Sequence, residues 1–80
     1  MVTVGPKGGV YVFFDLVADR VCYVGRSRDV GARMRSLQAP GGRFDDEAKY
    51  RGVSIARTDS YAAQRGMEQK AMDQYFGAPS

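Results

Sequence analysis

The chain has 80 residues, 44% of them hydrophobic and 26% charged, with a formal net charge of +3, one cysteine and no histidine. That describes one small domain near the lower size limit for a single core, with a mild positive excess that suits a polyanionic partner without requiring one. The missing histidine excludes a Ser-His-Asp triad, a zincin helix and a His-metal nuclease finger, and the lone Cys22 excludes an internal disulfide or a thiolate zinc cluster.

In chain order, residues 1–9 read as a linker-like lead, with Gly5-Pro6-Lys7-Gly8-Gly9 at its end, and residues 10–80 as the domain. Val10–Phe14 is β-branched and aromatic throughout and predicts a strand. At five residues it is also the longest apolar run; that is far short of a membrane span. With no visible signal peptide, the chain is expected to be soluble. Val21–Val24 predicts a second strand, antiparallel to the first and ending at Gly25, with Cys22 as a small buried strand residue. Ser27 is the expected N-cap of a helix from about residue 28 to residue 38, with Asp29 in its first turn and Val30, Met34 and Leu37 as its apolar stripe. Ala39-Pro40-Gly41-Gly42 stops it, and Arg43–Lys49 reads as a charged loop. The alternation in Gly52–Ala56 predicts a third strand. Asp59 or Ser60 then caps a second helix that runs to about Phe76 and stops at Gly77. The order β-β-α-β-α implies an α/β (α+β) fold, a small three-stranded, mostly antiparallel sheet flanked by helices.

The second helix carries a carboxylate where an apolar face is expected. On a wheel of 100° per residue, Tyr61, Ala71, Met72 and Tyr75 fall within about 60° of Glu68. An unpaired buried charge costs several kcal/mol, so an arginine, a divalent cation or a water-filled cleft must compensate. An internal Glu–Arg pair is one answer. A hard-cation site is the other, since Mg²⁺ takes one or two carboxylates plus waters.

The first helix offers the complement. Arg33 sits at the margin of the apolar stripe, whereas Arg28 and Arg35 point to solvent. Residues 20–35 hold five arginines (Arg20, Arg26, Arg28, Arg33, Arg35) against one acid, Asp29. Guanidinium forks match phosphate oxygens, although exposed arginines are also ordinary solvated surface. Alternation puts Tyr11 and Phe13 on one strand face and Tyr23 on the same face as Val21 in the second strand. Both phenols then reach one surface, either as core residues or as parts of a site.

This ordered set resembles the GIY-YIG nuclease family. Gly9-Val10-Tyr11 is similar to the first half-motif and Tyr23-Val24-Gly25, followed by Arg26-Ser27, to the second. Arg33 stands ten residues after the second tyrosine, and Glu68 follows on the helix after the third strand. The resemblance spans about residues 9–76. The segment Arg65-Gly66-Met67-Glu68-Gln69, with Asp73 beyond it, further resembles GIY-YIG domains at the C-termini of bacterial polymorphic (Rhs-type) toxins.

The resemblance implies a metal-dependent endonuclease that hydrolyses DNA phosphodiester bonds, with Tyr11, Tyr23, Arg33 and Glu68 as catalytic residues. Glu68 is expected to hold one Mg²⁺ or Mn²⁺, Arg33 to clamp the phosphate, Tyr11 to act as base and Tyr23 to support it. Arg26, Ser27, Arg28 and Arg35 are expected to contact phosphate or DNA. The toxin resemblance implies an immunity protein as a further partner and delivery into the cytoplasm of a target bacterium. The alternatives are a nucleic-acid-binding module without catalysis, or a repair- or restriction-type nuclease domain. Two features depart from the family. Leu37 occupies the place, four residues after the arginine, where many members have histidine or tyrosine, and the chain has no asparagine. Either this branch works without those groups, or the domain is weakened or truncated.

Overall fold

A computed structural model describes residues 5–77. The elements are β1 (Gly9–Asp15), β2 (Arg20–Ser27), α1 (Val30–Gln38), β3 (Tyr50–Arg57) and α2 (Tyr61–Phe76), the expected β-β-α-β-α order. The three strands form one antiparallel sheet in the order β2-β1-β3. The apolar β1 is therefore central and β2 is an open edge. The sheet is covered on both faces. Tyr11 and Phe13 pack with Val30 and Leu37 of α1, together with Phe44. Val10, Val12, Val21 and Val24 pack with Ala71 of α2.

Two bulges set which side chains reach which face. Between β1 and β2 the register moves from Phe13↔Tyr23 to Phe14↔Val21, so Cys22 is the extra residue. A bulge of one residue breaks the two-residue alternation. Tyr23 consequently packs on the α1 face and Val21 on the α2 face, whereas uninterrupted alternation places them together. The second bulge lies in β3, where Val10 pairs Ala56 but Tyr11 pairs Ser54. It lets both Val53 and Ala56 pack on the α2 face and leaves Ile55 exposed.

Helix α1 starts later than the sequence predicts. Asp29 is its N-cap and accepts a hydrogen bond from the Ala32 N–H. Ser27, the expected cap, is the last residue of β2, which runs two residues beyond Gly25. Its hydroxyl accepts from the Asp29 N–H and so braces the true cap. Ser60 caps α2 by accepting from the Ala63 N–H, a contact worth about 1 kcal/mol.

The residue 43–49 segment is more than a charged loop. Phe44 is buried and stacks on Phe13 with ring centroids 4.2 Å apart. The linker-like lead is also tied in where it is described. The Lys7 carbonyl accepts from the Val30 N–H, the Gly8 carbonyl accepts from the Thr58 N–H, and the Gly8 N–H donates to Asp59 Oδ1 at 2.8 Å. Residues 1–4 lie outside the described part of the chain. Among the described residues no helix is long and apolar enough to cross a membrane.

Candidate active site around the edge strand

Gly25 organises the tyrosines. It faces Tyr11 across the β1–β2 ladder, and a Cβ there would meet the Tyr11 hydroxyl at 2.6 Å and the Tyr23 ring at 2.8 Å. The bare backbone lets the Tyr11 ring lie across β2 with its hydroxyl over the strand. The two rings lie 6.0 Å apart, tilted by 32°. Arg33 of α1, itself exposed, is near enough to lower the pKa of the same hydroxyl.

Tyr11 is only 1% exposed. Burial pushes its pKa up, the Arg33 guanidinium pulls it partly back, and the neighbouring Tyr23 phenol pushes it up again. A phenol whose ionisation is disfavoured by desolvation is a poor base and has little room for water. Tyr23 is half-buried, with the Arg43 guanidinium 5.0 Å from its ring centroid. Of the two phenols, Tyr23 has the solvent access that a water-positioning group needs.

The other face of the hairpin holds the carboxylate. Residues Gln64, Glu68 and Ala71 form the strip of α2 turned to the sheet, with Gln64 and Ala71 buried. Glu68 Oε1 accepts from Arg26 Nε at 3.2 Å, with 23% of the Glu68 side chain and 32% of the Arg26 side chain exposed. The pair is therefore open to water rather than closed inside the core. Arg26 also lies over the Tyr61 ring, 4.9 Å from its centroid, and Tyr61 and then Glu68 hold its guanidinium protonated more firmly than usual. The buried Gln64 has no counterpart in the apolar-face reading, because a wheel scored for hydrophobicity ignores a polar residue whose amide is satisfied. Its Nε2 donates to the Thr58 carbonyl at 2.9 Å.

The expected site residues thus form two groups. Tyr11, Tyr23 and Arg33 gather on the α1 face, while Glu68 stands on the α2 face with Arg26. Both groups flank consecutive residues of the edge strand, Gly25 and Arg26. Arg28 and Arg35 are exposed, as expected, and Ser27 is half-buried and engaged in the helix cap.

Among the described residues no three Asp, Glu or Cys side chains cluster as a metal site. Glu68 has one oxygen engaged by Arg26 and the other without a hydrogen-bond partner among the described residues. One free carboxylate oxygen beside a cleft fits the lean mode of Mg²⁺ binding, in which water and a substrate phosphate supply the remaining ligands. Leu37, where the family resemblance leads one to look for a proton-handling group, is 8% exposed and packed with Tyr11, Phe13 and Phe44. It is a core residue.

The chain matches no family model, no curated protein and no solved structure.

Proposed function

We propose that this protein is a divalent-metal-dependent endonuclease that cuts DNA lying along the open edge of β2. The observation that carries the reading is the placement of the Tyr11 hydroxyl over Gly25 on one face and of the Glu68–Arg26 pair at the next residue on the other. A backbone phosphate lying over that edge would have Tyr23 and Arg33 on one side of it and the Glu68–Arg26 pair on the other.

Each residue then has a chemical task. Arg33 and Arg26 spread the charge that builds on the phosphate as water adds to phosphorus and the leaving oxygen departs. Tyr23 accepts a hydrogen bond from the attacking water and orients it. Tyr11 is a positioning residue that fixes Tyr23 and Arg33 from beneath. Glu68 holds the cation, which supplies positive charge at the scissile phosphate when bound.

Incubation with supercoiled plasmid and Mg²⁺ or Mn²⁺, beside a Glu68→Ala variant, tests the reading. Cleavage by the unaltered protein alone supports it. Equal cleavage by both removes Glu68 from the mechanism, and cleavage by neither removes the enzyme assignment.

A second reading is a nucleic-acid-binding module without turnover, favoured by the engagement of Glu68 with Arg26. It predicts salt-sensitive DNA binding in the same sample that fails to nick plasmid. If the nuclease is a toxin, as the Arg65–Gln69 resemblance suggests, its partner is an acidic immunity protein over the arginine-bearing face. Harmless expression of an active form without any companion protein speaks against that context.

A further inference from the structure

Beside the Glu68–Arg26 pair, α2 and the β2 edge enclose an open cleft of about 490 Å³ lined by Arg26, Ala62, Arg65, Gly66, Glu68 and Gln69. Its charged groups are two guanidinium groups and one carboxylate. Arg26 and Glu68 neutralise one another at 3.2 Å. Arg65 forms no ion pair and no hydrogen bond among the described residues, so it leaves the cleft one positive charge in excess. Its guanidinium carbon lies 6.0 Å from the centroid of the exposed Tyr61 ring, which also supports Arg26. One aromatic ring therefore lies within cation–π range of both guanidinium groups, closer to Arg26 than to Arg65.

Gly66 is an independent peculiarity. It sits inside α2, where glycine costs about 1 kcal/mol relative to alanine, yet a Cβ built on it meets nothing within 4 Å. Packing within the chain does not explain it. A glycine is useful where an external ligand comes close to the helix backbone.

We propose that this cleft binds a phosphate of a nucleic-acid strand, with Arg65 as its main donor and Gly66 as the point of closest approach. The inference rests on the nucleic-acid reading of the neighbouring edge and adds to it a subsite along the strand. The cleft shares Arg26 and Glu68 with that edge, so the Arg65 contact lies directly beside the proposed cation-holding carboxylate.

The test is the binding of a short labelled single-stranded DNA in EDTA at a series of salt concentrations. Arg65→Ala is expected to weaken binding roughly tenfold, the loss of one charge-assisted contact, and to flatten the log-log salt dependence by about 0.7. Gly66→Leu is expected to weaken binding while raising Tm by about 5 °C, since the helix gains propensity as the cleft fills. Arg51→Ala, an exposed arginine on the opposite edge strand, serves as the control of equal charge. Unchanged affinity and salt dependence in Arg65→Ala, or an equal loss in Arg51→Ala, overturns the proposal, as does full affinity in Gly66→Leu. Plasmid cleavage is measured separately on the same proteins. Binding lost in Arg65→Ala, with no cleavage by the unaltered protein, keeps the subsite and removes the nuclease. Cleavage whose KM and salt dependence ignore Arg65 does the reverse.

Discussion

Arg26 Nε and Glu68 Oε1 stand 3.2 Å apart and form the one ion pair among the described residues, joining the edge strand to the face of α2 that covers the sheet. A solvent-accessible pair of this kind contributes little to stability, because water screens it and both side chains lose freedom in holding it. Its larger consequence is to hold a carboxylate at the rim of the sheet instead of in its core.

Replacement of Glu68 by glutamine is therefore expected to abolish metal-dependent plasmid nicking while shifting the urea midpoint little. Nicking assays and urea melts on the same preparation check both halves. Retained nicking in Glu68→Gln contradicts the cation role.

Gly25→Ala is expected to harm both site and fold. The added methyl meets the Tyr11 hydroxyl at 2.6 Å and the Tyr23 ring at 2.8 Å, so both rings must move. Overpacking of this order costs about 1–3 kcal/mol. Denaturant melts and near-ultraviolet circular dichroism, which reports tyrosine environments, should change together, and nicking should fall with them. A native tyrosine spectrum in the variant would show that the rings have room to spare.

The buried Tyr11 phenol gives a pH signature. Burial raises its pKa above the ordinary 10.0. A group raised in the folded state contributes stability that is fully present below the unfolded value and is lost as pH rises through the folded one. Stability is thus expected to fall above about pH 10 more steeply in the unaltered protein than in Tyr11→Phe. Urea melts across the alkaline range check this, and parallel curves for the two proteins contradict it. In nicking assays Tyr23→Phe is expected to lose more activity than Tyr11→Phe, because Tyr23 has the access to water.

Leu37→His is expected to destabilise the domain rather than restore a missing proton-handling group. Leu37 packs against Tyr11, Phe13 and Phe44, and an imidazole there loses apolar contact and buries a polar ring without a partner, at a cost of about 2–5 kcal/mol. Thermal melts check the loss. A variant of unchanged Tm with increased nicking contradicts the core role.

Much of the fold is legible in the residues themselves. β1 is uniformly β-branched and aromatic, and Val30 and Leu37 repeat at helical spacing, so these elements follow from local preference and periodicity. The approach of Glu68 to the sheet is only partly legible: helical geometry puts it beside the buried Ala71, but Tyr61, Met72 and Tyr75, expected on the same buried face, stay exposed, and Gln64 takes their place. Less legible are the places where one element answers to another. Ser27 and Asp29 are equally good caps in isolation; the continuation of β2 through Ser27 assigns the role to Asp29. Phe44 reads as part of a polar loop until the ring of Phe13 is found beneath it.

By itself, the sequence determined the order and type of the five elements and the lack of histidine chemistry, because both depend on composition or on contacts within a few residues. The tertiary structure alone decided that Tyr23 parts from Val21, that Arg26 is the partner of Glu68, and that the phenols and the carboxylate stand on opposite faces of one edge strand. A bulge of a single residue reverses the phase of every side chain beyond it, and pairing between residues 42 positions apart is set by how α2 docks on the sheet, which no local pattern encodes.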